Sequence, residues 1–446
     1  MASIEEALKS ATDTKACVIG PGAAEDAGAM FRELFPAARR AIVVHDPRTR
    51  AVAGECVAAR LAASGVEVVE YVIAPGGEDF HATYEKVEEV REKLREAGDA
   101  APVAVGSGTV NDLVKRASDE LGGRYMVVGT AASMDGYTAY GAAITKDGMK
   151  QTLSCRAPLG CIVDSAVAAR APVEMTASGY ADLMAKIPAG ADWILADAIG
   201  SERIHPLAWD LVQASLKDAL ANPAGAASGD EREVRKLCEG LVMSGFAMQA
   251  MGSSRPASGT EHQVSHYWDM ENLSYNGKVV SHGFKVGIGT LASTAVLEFL
   301  LALDFAHLDV ERVVANWPAS FDEVKATFPA IFGAREAHIR RAEEEYSKKF
   351  PSRGLLRERL ELLKTAWPDL SVRIRSQILP FAEVREKLRL ACAPTRLDEI
   401  GITPERFRET FRGVPYMRAR YFGLDLALEL GLMDEVVEKT SGEMLS

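Results

Sequence analysis

Three of the eight histidines fall between positions 262 and 282. His262 and His266 lie in Gly259-Thr-Glu-His262-Gln-Val-Ser-His266-Tyr-Trp-Asp269, and His282 lies in Ser281-His282-Gly283. Residues at i and i+4 share one helix face, so His262 and His266 can turn two imidazoles toward one metal ion. The same spacing also fits an ordinary surface or core pair. Gln263 stands where an HExxH metalloprotease carries its glutamate base, which argues against that chemistry. A carboxylate would complete a three-ligand set with an open coordination position, as catalytic zinc sites require. Asp182, in Gly179-Tyr-Ala-Asp182-Leu-Met-Ala-Lys186, is a candidate on a separate apolar helix. The chain has 63 acidic residues, and the pattern alone does not choose among them.

A second chemical signal is glycine-rich. Gly106-Ser107-Gly108-Thr109-Val110-Asn111-Asp112 follows an apolar strand and opens a helix. Glycines allow a sharp turn and close backbone approach, and a helix N-terminus offers N–H groups and partial positive charge to a phosphate. The GxGxxG pattern is not met, because Asp112 follows Asn111 where a third glycine belongs. An ordinary tight βα turn has the same composition. Thr130-Ala131-Ala132-Ser133 follows the next strand, and its small side chains leave room either for a cofactor or for close packing. Asp46 ends an earlier strand, where an acidic residue often holds an adenosine ribose. It can equally be a turn residue before Pro47.

These motifs need elements to hold them. Ala41–His45, Val66–Ile73, Pro102–Gly106, Tyr125–Val128 and Gly160–Val163 read as strands, alternating with helical stretches at Arg48–Ala63, Asp79–Ala97 and from about Thr109. Such alternation predicts a parallel sheet with crossover helices. After about Asp164 the texture becomes rich in Ala, Leu, Glu, Lys and Arg. Thr176–Ile199, Glu231–Met251, Val286–Leu303 and Arg335–Tyr346 read as helices, and Asn222–Gly229 as a loop. Met417, Tyr421, Leu424 and Leu428 form a helix-spaced stripe, most simply core. The expected architecture is α/β, a Rossmann-like parallel-sheet domain (residues 1–165) followed by an all-helical domain (166–446). The active site is expected in the interdomain cleft.

Of 446 residues, 48% are hydrophobic and 26% charged, which is ordinary globular composition. The net charge is −12, from 51 basic and 63 acidic side chains. That balance argues against generic nucleic-acid binding and against an anionic membrane surface. Six cysteines without a CxxC pair read as free thiols in a reducing compartment. With no apolar leader at the N-terminus and no apolar run of ~18 residues, a cytoplasmic protein is expected.

Five segments occur in a telling order: Gly106–Asp112, Thr130-Ala-Ala-Ser-Met-Asp-Gly-Tyr137, Gly179–Lys186, Ser254-Arg-Pro-Ala-Ser-Gly-Thr-Glu-His262 and Ser281-His-Gly-Phe-Lys-Val-Gly287. Together they resemble the sn-glycerol-1-phosphate dehydrogenases of the iron-containing alcohol dehydrogenase and dehydroquinate synthase superfamily. Ser254–Gly259 and the long helical tail place the likeness nearer the bacterial branch, and it runs from about residue 17 to about 433. The resemblance implies that Gly106, Ser107, Gly108, Thr109 and Val110 cradle the pyrophosphate of NAD or NADP. Thr130 and Ser133 would line the nicotinamide side, and Asp135 would contact the substrate. Asp182, His262 and His282 would hold one divalent metal, zinc or nickel, with Asp182 also touching the substrate. His266 would then contact the substrate or relay a proton. The family often carries serine four residues after the aspartate of the Asp-Gly segment. Here that position is Ala139, which puts one cofactor hydrogen bond in question.

The implied reaction interconverts dihydroxyacetone phosphate and sn-glycerol-1-phosphate, in a homodimer. Lys186, Arg255 and Lys285 are basic residues near the motifs that could meet the substrate phosphate or serve as structural ion-pair partners. Alternatives are a dehydroquinate synthase-like cyclase, a dehydrogenase of an unphosphorylated polyol such as glycerol, and a non-catalytic protein retaining the fold with a structural metal.

Overall fold

The structure, a computed structural model, describes residues 3–147 and 149–445. Six parallel strands form one sheet in the order β1-β8-β5-β4-β2-β3. They are β1 (Ala16–Gly20), β2 (Arg40–His45), β3 (Glu67–Val72), β4 (Ala101–Gly106), β5 (Met126–Gly129) and β8 (Gly160–Asp164). Strands β6 (Ala142–Lys146) and β7 (Met149–Leu153) form a separate antiparallel hairpin. The β-branched runs of β2, β4 and β5 are almost wholly buried, as strands covered on both faces by crossover helices must be. Helix α1 (Gly108–Glu120) follows β4. The later helices used below are α2 (Val173–Met184), α3 (Lys186–Ala198), α4 (Pro206–Ala219), α5 (Glu231–Met251), α6 (Thr260–Met270) and α7 (His282–Leu301).

The chain divides into two compact units, one of Met1–Leu183, Pro206–Ser254 and Leu390–Ala393, the other of Met184–His205, Arg255–Arg389 and Pro394–Ser446. Composition groups α4 and α5 with the helical second half. In the structure they belong to the sheet-bearing unit, because α5 packs on the N-terminal helix Ile4–Ser10 and on β1. Among the described residues, the regular structure of the second unit is helical apart from a small hairpin, Ser274–Tyr275 with Lys278–Val279. Helix α7 is long and apolar enough to cross a bilayer, yet 83% of its apolar window is buried inside the protein. It is a core helix, apolar on all sides.

Three readings of the sequence are corrected. Thr176–Ile199 is not one helix. It breaks at Ala185, because Pro188 has no N–H to donate to the Met184 carbonyl. Asn222–Gly229 is not an open loop. Pro223–Ala227 makes a helical turn, with the Asn222 side chain accepting from the Gly225 N–H and proline at the first position. The stripe from Met417 to Leu428 does not lie on one helix, since the helix there is only Gly423–Glu429. Met417, Tyr421 and Leu424 are nonetheless buried. All six cysteines are free.

Candidate functional site

In the first unit, adjacent parallel strands bring two motifs together. Gly106 and Gly129 are register partners at the ends of β4 and β5, so the Gly106 turn and the Thr130–Ser133 segment leave the same edge of the sheet. Ligands of open α/β sheets bind at that edge. Helix α1 starts at Gly108 with Ser107 as its cap residue. A Cβ on Gly106 would lie 2.7 Å from the Val110 Cβ, and one on Gly108 would lie 3.2 Å from Met134. The glycines therefore first satisfy the turn's own packing, with Val110 over Gly106 and Met134 over Gly108.

The third motif is fitted onto the second. A Cβ on Gly179 would stand 2.0 Å from the Ala132 carbonyl oxygen, so only glycine lets α2 lie on this segment. Ser178 Oγ donates to the Ser133 carbonyl at 3.2 Å. Asp182, fully buried, accepts from the Asp135 backbone N–H at 3.1 Å. The Asp135 carboxylate accepts from Ser244 Oγ of α5 at 2.9 Å. Gly245, next on α5, leaves space for Thr138, whose Oγ1 donates to the Val242 carbonyl at 2.7 Å.

Lys115, a residue the motif reading passed over, clamps this loop. Its buried ammonium donates to the carbonyls of Gly136 (2.8 Å), Ala139 (2.9 Å) and Gly141 (3.1 Å). Asn111 accepts from Tyr125 Oη at 2.8 Å, and Asp112 accepts from the Ala143 N–H at 3.1 Å. Burial pushes the Asp112 carboxyl up, against the pull of Lys115. The apolar spacing of α1 conceals a buried lysine, since nothing but its position on the helix marks it. Asp46 caps a short helix, its Oδ1 accepting from the Arg48 and Thr49 N–H groups at 2.7 and 2.9 Å.

In the second unit, the three histidines form a triangle. Ring centroids are 5.4 Å apart for His262 and His282, 6.3 Å for His262 and His266, and 6.2 Å for His266 and His282. A ring nitrogen of His262 and one of His282 lie within 4.8 Å of each other. Helices α6 and α7 pack side by side, and they do so at Gly289, where a Cβ would meet the Glu261 carbonyl oxygen at 2.4 Å.

Carboxylates hold these rings. Glu261, without solvent exposure, faces His262 Nδ1 at 2.8 Å and accepts from the Gly259 N–H at 2.6 Å. With Nδ1 donating to Glu261, a neutral His262 carries its lone pair on Nε2, the tautomer that ligation by Nε2 requires. Asp269 lies 3.6 Å from His266 Nδ1 and is ion-paired with buried Lys285. Desolvation holds the His266 imidazole below its usual range; Asp269 opposes this, while Arg418 and His262 reinforce it. Asp192 of α3 accepts from the Thr260 N–H (2.8 Å) and the Gly423 N–H (2.7 Å). Burial, then the neighbouring Glu261, pushes its carboxyl up to about 6. Arg255, fully buried, donates to the Asp192 carbonyl at 2.9 Å and faces Glu202 at 3.2 Å. Neither Glu261 nor Asp192 was picked out from the sequence, although Glu261 directly precedes a histidine in a motif.

The glycerol-1-phosphate dehydrogenase [NAD(P)+] of Bacillus subtilis is 31% identical over 325 residues, which cover 67% of this chain and 82% of that one. The chain belongs to the glycerol-1-phosphate dehydrogenase family. Residues 18–172 also match the wider family described as iron-containing alcohol dehydrogenase. A relative in this family from Geobacillus thermodenitrificans is 36% identical over 253 residues, 56% of this chain. The match spans 62% of that relative's length, so less than two thirds of it is covered. The fold matches the crystal structure of a probable glycerol dehydrogenase from Sinorhizobium meliloti 1021 with a TM-score of 0.59 at 16% identity, covering 96% of this chain and 97% of that one. The family assignment follows the order of the five motifs, each of which is built into one of the contacts described above.

Proposed function

We propose that the protein is a metal-dependent oxidoreductase that interconverts dihydroxyacetone phosphate and sn-glycerol-1-phosphate with NAD(H) or NADP(H). One observation carries the reading: the imidazoles of His262 and His282 converge, with Glu261 backing His262, in a chain of this family. Asp182, His262 and His282 are the proposed ligands of one divalent ion. Two imidazoles and a carboxylate suit zinc or nickel, and they leave coordination positions open. When bound, the ion supplies Lewis-acid polarisation of the ketone oxygen. The nicotinamide, when bound, supplies or takes the hydride at substrate C2.

The chain's own residues do the rest. The N–H groups following Gly106, with Ser107, Thr109 and Val110, receive the pyrophosphate at the α1 N-terminus. Thr130 and Ser133 border the nicotinamide. Asp135, held by Ser244, orients the substrate hydroxyl. His266, held by Asp269, carries the proton exchanged with the C2 oxygen. The resemblance that suggests these roles also suggests a homodimer, which light scattering would check.

The test is direct. Purified protein with Zn²⁺ or Ni²⁺ and NADH or NADPH is expected to consume dihydroxyacetone phosphate, and His262→Ala and His282→Ala to abolish turnover. No turnover above those variants overturns the reading. Phosphate release without net change in NADH would favour the cyclase instead. Turnover of glycerol in preference to its phosphate would favour a polyol dehydrogenase.

A further inference from the structure

The order of the strands lays out the dinucleotide edge. Val44 of β2 is the register partner of Ala104 of β4, so Asp46, two residues further on, comes out beside Gly106. Gly106 is in turn the partner of Gly129 of β5. A nucleotide with its pyrophosphate at the Gly106 turn and its nicotinamide at Thr130–Ser133 therefore has its adenosine half at the end of β2. The NAD(P)+ in the relatives' names covers a ribose with and without a 2′-phosphate.

The charges at the end of β2 distinguish the two. Asp46 is half-buried, and its Oδ1 is committed to the Arg48 and Thr49 N–H groups. Its Oδ2 takes no hydrogen bond and faces no cation among the described residues. The two arginines that follow are matched by other carboxylates. Arg50 Nε donates to Glu70 Oε2 of β3 at 2.9 Å, and Arg50 Nη1 lies 3.4 Å from Glu55. Glu70 is itself fixed, because the same oxygen lies 3.0 Å from Nε2 of fully buried His45. Burial holds the His45 imidazole below its usual range, against the pull of Glu70, so the ring adds no charge at neutral pH. Arg48 faces Asp79 at 3.7 Å. Asp46, Glu55, Glu70 and Asp79 against Arg48 and Arg50 leave this end of the sheet net negative. Ribose hydroxyls can donate to such a place, whereas a phosphate dianion is repelled by it.

We propose that this edge selects NAD(H) over NADP(H), with Asp46 accepting from the adenosine ribose hydroxyls and Glu70 holding Arg50 away from a 2′-phosphate. The proposal rests on the dinucleotide site of the reading above. Asp46 is the residue that touches the cofactor. Glu70 is a positioning residue that acts through Arg50, the guanidinium one turn beyond Asp46, whose N–H donates to the Asp46 carbonyl at 2.8 Å. A guanidinium released there would be the natural partner of a phosphate. His45, buried beneath, gives Glu70 its second anchor.

Titration of the purified protein with NADH and NADPH, followed by nicotinamide fluorescence, tests it without turnover. The wild type is expected to bind NADH about 10-fold or more tighter than NADPH, since like charges side by side are costly. By calorimetry 5′-ADP should likewise bind more tightly than 2′,5′-ADP, which isolates the ribose from the nicotinamide. Asp46→Asn keeps a capping oxygen and removes the charge, and the NADH-over-NADPH preference should fall about 10-fold. Glu70→Gln keeps an acceptor for His45 and releases Arg50. The preference should then fall about 5-fold, and adding Arg50→Gln should restore it. A merely structural Glu70 would weaken both nucleotides together and leave the preference where it was. Equal wild-type binding of the two dinucleotides, or a Glu70→Gln preference equal to that of wild type, overturns the proposal. Failure to reduce dihydroxyacetone phosphate with either cofactor would overturn the oxidoreductase reading alone, and the binding ratios would still decide this one.

Discussion

The loop from Asp135 to Gly141 and the imidazole triangle are both organised by buried charge, but of opposite sign. In the loop, the Lys115 ammonium gathers three backbone carbonyls. In the triangle, carboxylates of Glu261 and Asp269 stand behind imidazoles. A cation on carbonyls fixes main-chain shape, which suits a wall against which a flat cofactor lies. A carboxylate behind an imidazole fixes a tautomer and a direction, which suits ligation. The two devices should therefore fail differently.

The largest effect is expected from Lys115→Met, which leaves three carbonyls in the protein interior without their donor. The cost is on the order of 3 kcal/mol or more. Urea denaturation should show it, along with weakened NAD(H) binding by fluorescence. Gly179→Ala attacks the same wall from outside, through the contact with the Ala132 carbonyl. A loss of about 1–3 kcal/mol is expected, as for other overpacked sites, and a fully stable variant would refute the close fit. Glu261→Ala should lower metal affinity about 10- to 100-fold, read by chelator competition, with a smaller change in the stability of the metal-free protein. Glu261→Gln, which retains an acceptor oxygen, should recover part of that affinity. If Lys115→Met and Glu261→Ala lowered stability and metal affinity alike, the contrast between the two regions would not hold.

An effect of another kind, read as a pH dependence, concerns Glu429, a carboxylate that holds a cation instead of an imidazole. Burial raises its carboxyl to about 7 against the pull of Arg359 and Tyr421. The folded protein thus binds that proton more tightly than the unfolded chain does. This proton-linked stability is complete below the ordinary glutamate range and is lost as pH rises through about 7. Glu429→Gln lacks the loss, so its stability relative to wild type should improve between about pH 4.5 and 7, by at most about 1.4 kcal/mol per pH unit. Paired denaturation curves across that range would show it.

The sequence made the parallel sheet and its crossover helices legible, because β-branched runs and helical spacing alternate along the chain. It also made the histidine cluster legible, because three imidazoles in a short stretch are uncommon. What it concealed were residues whose role depends on distant partners. Lys115 looks like any polar position on α1 until the loop folds over it. Glu261 and Asp192 are two among many acids, and only the close approach of α3 and α7 to α6 gives them work. The β6–β7 hairpin escapes the reading because its strands are only partly apolar; β1, Ala16-Cys-Val-Ile-Gly20, is as apolar as the strands that are read and was legible in the sequence.

Gly179, Gly245 and Gly289 sit inside helices, where glycine costs roughly 0.5–1 kcal/mol relative to alanine. At each, even a methyl group would lie within 2.5 Å of a neighbouring oxygen. Mutational tolerance at these three codons should therefore be low. A library randomised there and selected for a folded chain is expected to be strongly enriched in glycine, while exposed positions such as Arg232 and Arg235 of α5 accept most of the genetic code. The motifs would then survive sequence drift as a pattern of missing side chains as much as of reactive ones.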